Sequence, residues 1–152
     1  MTPPLARRPR RVLVAILATL SVLAAVGACS PSSGKNLEGT RWLLVELGGK
    51  PVASTDPEEA PDLEFAAGER KVTGSTGCNR LTGTYEINGA KLKFSPLATT
   101  RRFCAAAAAT EQAFLAALTA TDAYRVSDEQ LELIGAGHVV AKLKAASSDP
   151  VP

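Results

Sequence analysis

The chain has 152 residues, 45% of them hydrophobic, which suits one packed domain and excludes a membrane protein with many spans. Its formal net charge of +2 is unevenly distributed, because four arginines lie within residues 7–11 and the first acidic residue is Glu38. Without those arginines, 13 basic and 15 acidic residues remain. Such a mildly acidic domain, with no basic cluster larger than Arg101 and Arg102, lacks the charge pattern of a nucleic-acid-binding protein. Nucleic acid is therefore not an expected partner.

The N-terminus has the pattern of an export signal. The arginine-rich stretch precedes an apolar run over residues 12–28, which ends in Val26-Gly27-Ala28-Cys29. These four residues resemble a bacterial lipobox, whose cysteine receives diacylglycerol before cleavage exposes it. Residues 1–28 are thus predicted to be a lipoprotein signal peptide, with Cys29 as the lipid anchor. The alternative is an uncleaved membrane anchor, because the run approaches the roughly 20 apolar residues that span a bilayer.

The exported part is predicted to contain a linker, a domain and a tail. Residues 29–35 are small, polar and turn-forming, the composition of a flexible, lipid-anchored linker. The folded domain is predicted over residues 36–145, and residues 146–152 lack periodicity, which predicts a disordered tail. Both interpretations of the N-terminus locate the domain at the extracytoplasmic face of the cell membrane. In a host with two membranes, the outer membrane and periplasm are the expected location.

Short runs of alternating polar and apolar residues recur within the domain, as is typical of β-strands. Glycine, asparagine and proline separate these runs, and Asn88-Gly89 and Asp128-Glu129 are hairpin turns that make neighbouring strands antiparallel. The predicted strands are residues 40–47, 62–66, 71–74, 83–87, 91–94, 123–127, 130–134 and 138–144.

One segment differs from the strands. Residues 105–120 are rich in Ala, Leu, Glu and Gln, with Phe114, Leu115 and Leu118 on one face, which predicts an amphipathic helix. The predicted fold is therefore a single small domain, mainly antiparallel β, with a curled or barrel-like sheet and one inserted α-helix. Closing the sheet would remove its exposed edges.

Two cysteines remain if Cys29 carries lipid. Cys78 and Cys104 would then form an even pair in an oxidising compartment, which favours a disulfide. This bond would close a loop of about 27 residues and stabilise the fold by roughly 3 kcal/mol. Two unpaired thiols are the alternative. A metal site is disfavoured because His138 is the one histidine of the sequence, so no metal is expected.

The groups that usually indicate catalysis are scarce. His138 begins a predicted strand, where a solvated histidine is the ordinary outcome. Neither Ser75 nor Ser95 lies in a nucleophile elbow, and Glu58-Glu59 lies in a polar loop bounded by prolines, where solvated charge is expected. Gly74-Ser75-Thr76-Gly77 lacks the lysine of a phosphate-binding loop. The sequence therefore predicts a protein that is not an enzyme and needs no cofactor.

Four motifs occur in order along residues 39–144. They are Gly39-Thr40-Arg41-Trp42-Leu43-Leu44; Val72-Thr73-Gly74-Ser75-Thr76-Gly77-Cys78-Asn79-Arg80 with Gly83-Thr84-Tyr85; Pro96-Leu97-Ala98-Thr99-Thr100-Arg101 before Cys104; and Glu111-Gln112-Ala113-Phe114-Leu115-Ala116-Ala117-Leu118. With them the chain resembles the META/HslJ family. The resemblance implies a compact β-barrel-like domain with a helix, often behind a lipoprotein signal. It also implies an association with heat-shock induction, novobiocin tolerance and, in parasites, virulence.

The chain departs from the family pattern after Cys104. Five alanines, residues 105–109, stand where the family often has prolines or longer polar residues, so the helix is expected to begin early. The resemblance therefore implies no recognition surface at the start of this helix.

A disulfide would bring Asn79, Arg80 and Arg101 close together. In one interpretation these residues form a surface patch that binds an envelope ligand. In the other, which turn chemistry favours, Asn79 forms hydrogen bonds to backbone groups of the turn and Arg101 pairs with a nearby residue. Trp42 and Tyr85 are expected in the core.

The functional hypothesis is a lipid-anchored, non-enzymatic cell-envelope domain that binds an envelope protein or a small molecule in stress or antibiotic tolerance. The alternative is an accessory or inhibitor-like module that docks on another envelope protein. A hydrolase that depends on the lone histidine ranks third.

Overall fold

The structure, a computed structural model, describes residues 36–53 and 59–147. The predicted signal peptide (residues 1–28), the Cys29 anchor, the linker (residues 29–35) and residues 148–152 of the predicted tail lie outside the described residues. Those assignments remain predictions. Within the described part, no helix is long and apolar enough to cross a membrane.

Ten strands and one helix make up the described part of the chain. In order they are β1 (Arg41–Leu47), β2 (Lys50–Pro51), β3 (Asp62–Phe65), β4 (Lys71–Ser75), β5 (Arg80–Asn88), β6 (Lys91–Phe94), β7 (Ala98–Thr99), α1 (Ala108–Ala120), β8 (Ala123–Ser127), β9 (Gln130–Gly135) and β10 (His138–Ala145). All eight predicted strands are present. The short strands β2 and β7 were not predicted, and β5 begins three residues earlier than expected.

Eight of these strands form a closed antiparallel barrel. Their order is β1-β3-β4-β5-β6-β8-β9-β10, and β10 pairs with β1 to close the sheet. The short strand β2 pairs with the end of β1, and β7 pairs with the start of β5. The barrel and its single helix confirm the predicted fold class. Closure pairs the edges that an open sheet would expose.

Alternation along the strands directs one face of the sheet into the barrel. In β9, for example, buried and half-buried residues alternate over its whole length. Trp42 and Tyr85 are fully buried, with 0% and 1% of their surface exposed, which confirms their predicted place in the core. The β5–β6 hairpin is present where the sequence predicted one, but its two turn residues are Gly89 and Ala90, because Asn88 still pairs with Lys91. Gly89 has the positive φ of 59° that such a tight turn requires.

The helix α1 packs against four strands, namely β1, β6, β9 and β10, and buries Phe114, Ala117 and Leu118. It begins at Ala108, so the expectation of an early start at residue 105 was wrong. Cys104 is held by a disulfide to Cys78, and the N–H of Ala107 donates to the carbonyl oxygen of Cys104 at 3.0 Å, which closes a turn. This tertiary constraint overrides the high helix propensity of alanine.

The chain enters and leaves the barrel at the same end. Glu38 bridges to Phe65, which precedes the β3–β4 turn, and the N–H of Ala146 donates to the carbonyl oxygen of Arg41 at 2.8 Å. Because successive strands of the barrel run in opposite directions, the β4–β5 turn and the connection through α1 lie at the other end.

Candidate binding cleft

A cleft of about 1200 Å³ opens at the end of the barrel that carries the β4–β5 turn. Its walls come from that turn, the start of β3, strand β7 with the segment that follows it, and the beginning of α1. Hydroxyl groups are frequent in these walls, from Thr73, Ser75, Thr76, Thr82, Thr99, Thr100 and Thr110. The charged lining residues are Glu59, Asp62, Arg80 and Arg102. The cleft is therefore of mixed polar and apolar character, and it offers hydrogen-bond donors of both neutral and charged type.

Asn79 holds the walls of this cleft together. Its Oδ1 accepts from the N–H of Arg102 at 2.7 Å and from the hydroxyl of Thr100 at 2.8 Å. Its Nδ2 donates to the carbonyl oxygen of Arg102 at 3.1 Å and to the carboxylate of Glu111 at 2.9 and 3.0 Å. These contacts use both the donor and the acceptor capacity of the amide.

Asn79 therefore lies inside the fold and does not extend an open surface patch. Only 3% of the residue is exposed, because backbone and side-chain groups of its own fold occupy the amide. The turn beneath it is equally fixed, since the N–H of Asn79 donates to the hydroxyl of the fully buried Thr76 at 3.0 Å. The interpretation that turn chemistry favoured, in which Asn79 satisfies backbone groups, describes the structure.

The disulfide predicted between Cys78 and Cys104 is confirmed. The two Cα atoms are 6.0 Å apart, and both cysteines line the cleft. The bond joins the β4–β5 turn to the segment before α1, beside the hydrogen bonds of Asn79. Among the described residues, no group of three or more His, Cys, Asp or Glu side chains could hold a metal ion.

Arg80, Arg101 and Arg102 are all exposed, but only Arg80 and Arg102 line the cleft. The backbones of Arg80 and Thr100 meet, with the N–H of Thr100 donating to the carbonyl oxygen of Arg80 at 3.1 Å. The segments of Arg80 and Arg101 thus lie together as the sequence predicted. Arg101 was expected to pair locally, but none of the three arginines forms an ion pair with a carboxylate of the described residues.

Asp62 is a wall residue that sequence reasoning missed. It is 7% exposed, its Oδ2 lies 2.6 Å from Nε of Arg41, and its Oδ1 accepts from the N–H of Ser75 at 2.8 Å. The neighbouring strand β4 comes very close to Asp62, because a Cβ added at Gly74 would lie 2.1 Å from the carbonyl oxygen of Asp62. No local signal marks it, because its partners Arg41 and Ser75 belong to other strands.

The residues considered for catalysis do not converge in this cleft. Ser75 lines it, but its hydroxyl accepts from the N–H of Gly77 at 3.0 Å, and no histidine is among the described lining residues. His138 is exposed at the β9–β10 turn. Glu59 lines the cleft and is exposed, whereas Glu58 lies outside the described residues.

A second polar contact lies at the opposite end of the barrel. The hydroxyl of Tyr85 donates to Oε1 of Glu38 at 2.5 Å, and the N–H of Gly68 donates to Oε2 of Glu38 at 3.1 Å. Burial and the contact with Glu38 raise the pKa of Tyr85 to about 12. The hydrogen bonds from Tyr85 and Gly68 lower the pKa of Glu38.

Comparison with known proteins matches nearly the whole described part of the chain to one family. The META domain family model matches residues 35–147. Heat shock protein HslJ of Escherichia coli (strain K12) is 32% identical over 71 residues, which are 47% of this chain and 48% of that protein. The match thus spans about half the length of that relative.

Solved structures share the fold. An NMR structure of a protein from Burkholderia xenovorans superposes with a TM-score of 0.61 at 24% identity, covering 94% of this chain and 99% of that one. A second NMR structure has a TM-score of 0.57 at 27% identity, covering 71% of this chain and 90% of that one. The crystal structure of a DUF4847 family protein from Bacteroides vulgatus has a TM-score of 0.54 at 17% identity, with 72% and 93% coverage.

Proposed function

Because this chain belongs to the META domain family, we propose that it is a lipid-anchored, non-enzymatic domain of the bacterial cell envelope. Its cleft binds an envelope protein or a small molecule in stress or antibiotic tolerance. The sequence Val26-Gly27-Ala28-Cys29 supports the lipid anchor. The name of the similar protein from Escherichia coli, heat shock protein HslJ, supports the connection with stress.

The observation that carries the binding function is the cleft, whose walls are fixed and include two arginines that are unpaired among the described residues. The amide of Asn79 and the Cys78–Cys104 disulfide fix the walls relative to one another. Arg80 and Arg102 line the cleft without an ion pair to any carboxylate of the described residues, so their guanidinium groups can donate to an incoming ligand. A site that is already ordered loses little conformational entropy when a ligand binds.

The position of the cleft suits a tethered domain. The described chain starts at Asn36, seven residues after Cys29, and Glu38 lies at the end of the barrel opposite the cleft. A lipid at Cys29 would therefore be attached through the end that lacks the cleft, which leaves the cleft accessible to other components of the envelope.

The absence of an enzymatic role is part of the proposal. The cleft contains hydroxyl groups, but among its described lining residues none is a histidine that could activate them as general base. A hydrolase would instead require His138, which is exposed on a turn outside the cleft. The second candidate, an accessory or inhibitor-like module that docks on another envelope protein, is favoured by the exposed side chain of Phe103, which is 88% accessible.

The anchor is tested by the intact mass of the protein purified from its native membrane, measured before and after reduction and alkylation. We expect a chain that begins at Cys29, carries the mass of the acyl chains and takes up alkylating agent at two thiols only after reduction. A mass that retains residues 1–28 would contradict the lipoprotein assignment. Alkylation before reduction would contradict the disulfide in the native protein.

The cleft is tested in a strain of the native host from which the gene has been deleted. Arg80→Glu reverses a charge in the cleft wall, and Lys144→Glu makes the same reversal on an exposed residue of β10 outside the cleft. We expect Lys144→Glu to restore tolerance to heat and novobiocin and Arg80→Glu to fail, at equal amounts of membrane-bound protein. Restoration by both variants would refute a role for the cleft.

A further inference from the structure

We infer that the outer face of residues 101–109 is a docking surface for an acidic, amphipathic segment of another envelope protein. This surface, which we call the rim, borders the cleft. The inference rests on the proposed envelope-binding function and specifies a partner for it.

Phe103 is the main feature of the rim. It is 88% exposed, and among the described residues the only other large hydrophobic side chain that is exposed is Val45, at 39%. The alanines that follow Phe103 extend the apolar surface, since Ala105, Ala108 and Ala109 are exposed as well and lie outside the cleft. No charged side chain occurs in residues 103–109. An exposed apolar surface of this kind is typical of a site that another protein covers.

The rim is held rigidly from both sides of Phe103. The backbone N–H and carbonyl oxygen of Arg102 both bond to the amide of Asn79, at 2.7 and 3.1 Å. On the other side, Cys104 is fixed by its disulfide to Cys78. An aromatic side chain whose backbone is already ordered loses little entropy on binding, and such aromatic anchors, with arginine, dominate the affinity of protein interfaces.

The rim is distinct from the cleft. Arg102, Cys104 and Ala106 line the cleft, whereas Arg101, Phe103 and Ala105 do not. The segment therefore presents one set of residues to the cleft and the other to the outer surface. Its arginine and its phenylalanine therefore offer a positive charge beside an apolar anchor.

Charge complementarity defines the partner. Arg101 carries a positive charge on the rim, outside the cleft, and it is not paired with a carboxylate of the described residues. A segment with aspartate or glutamate next to a large apolar residue would satisfy both features at once. The small alanine side chains allow the backbone of such a segment to approach closely.

A protein partner fits the geometry better than the anchoring membrane. Arginine beside an exposed aromatic ring also suits an anionic bilayer. However, a bilayer engages a broad apolar face, whereas the rim offers one large apolar side chain, Phe103, so a protein segment fits it better.

The test uses the mature, oxidised chain and a random library of short peptides displayed on phage. We expect the enriched peptides to carry aspartate or glutamate beside leucine, phenylalanine or tryptophan. Synthetic copies of these peptides should bind Phe103→Ser and Arg101→Glu at least about tenfold more weakly than the unaltered protein. Val45→Ser, which removes the other exposed hydrophobic side chain, is the matched control and should bind normally.

Two results would overturn the inference. One is enrichment of peptides without acidic residues, or binding that Phe103→Ser leaves unchanged. The other is binding to vesicles containing phosphatidylglycerol that depends on Phe103 while no acidic peptide is selected, which would assign the rim to a lipid surface. Neither result affects the proposed function of the cleft, which Arg80→Glu tests separately in cells.

Discussion

The side chains of Asn79 and Glu111 meet although 32 residues separate them, with Nδ2 of Asn79 lying 2.9 and 3.0 Å from the two carboxylate oxygens of Glu111. Asn79 belongs to the β4–β5 turn and Glu111 to the first turn of α1. An acidic residue in the first turn also interacts favourably with the helix dipole. One carboxylate therefore stabilises the helix and anchors it to the barrel.

Replacing Asn79 with alanine should destabilise the protein more than the loss of so small a side chain suggests. The change leaves the backbone groups of Arg102 and the hydroxyl of Thr100 without the partner they have in the folded state. Unsatisfied buried polar groups typically cost about 1–3 kcal/mol each, although water can reach some of them here. We expect a loss of about 2–4 kcal/mol in the free energy of unfolding, measured by urea denaturation.

Glu111→Gln is the matched control for that experiment. Glutamine retains an oxygen that accepts from Nδ2 of Asn79, so we expect a loss of less than about 1 kcal/mol. Equal losses of stability for Asn79→Ala and Glu111→Gln would show that the charge of Glu111, and not the hydrogen bonds of Asn79, holds α1 against the barrel.

Removing the disulfide should lower stability without changing the fold. The bond joins residues 26 positions apart, and closing a loop of this length stabilises a domain by about 3 kcal/mol on the chain-entropy argument. For the double variant Cys78→Ser and Cys104→Ser, we expect Tm to fall by roughly 10–15 °C. Reducing agent should lower the Tm of the wild type by a similar amount and leave that of the variant unchanged. A wild type insensitive to reduction would contradict this prediction.

Local patterns were sufficient to predict the barrel strands. Alternation of polar and apolar residues and the Asn88-Gly89 turn identified the long strands, because each of these signals depends only on neighbours in the chain. The strands β2 and β7 were missed since two residues are too few to show a period. The start of α1 was misplaced because alanine propensity is local, whereas the bond of Cys104 that delays the helix is not.

The candidate site was predicted only in part. Sequence reasoning brought the segments of Cys78 and Cys104 together through cysteine counting, and this placed Arg80 and Arg101 correctly near each other. It could not assign Asn79 to the interior, because its burial depends on Glu111, which comes from a different segment. Nor could it identify Asp62, whose role depends on the neighbouring strand.

Gly74 should not tolerate a side chain, even one as small as alanine. The added Cβ would lie 2.1 Å from the carbonyl oxygen of Asp62, so β3 and β4 would have to separate at the cleft wall. We expect Gly74→Ala to lower the free energy of unfolding by about 1–3 kcal/mol or more. The control is Thr73→Ala on the same strand, an exposed position where we expect a loss below about 1 kcal/mol. Similar losses for both would show that the strands adapt without strain.

The pair of Tyr85 and Glu38 should make stability depend on pH at both extremes. The pKa of Tyr85 is raised to about 12 from the ordinary value of 10.0, so the folded protein holds the phenol proton more tightly than the unfolded chain. Its contribution is therefore complete below pH 10.0 and is lost as the pH rises toward about 12. For Glu38 the pKa is lowered, so its contribution is present above the ordinary value of 4.5 and is lost as the pH falls through its folded-state pKa.

Tyr85→Phe should weaken the pH dependence of stability at both the alkaline and the acidic extreme. The change removes the phenol hydroxyl and, with it, the main hydrogen bond that lowers the pKa of Glu38. The measurement is the urea midpoint as a function of pH, with tyrosinate absorbance recorded in parallel. Tyr124→Phe leaves the pair intact and should retain the behaviour of the wild type. If Tyr85→Phe and the wild type instead lost stability in parallel above pH 10.0, the shifted group would have to be one other than Tyr85.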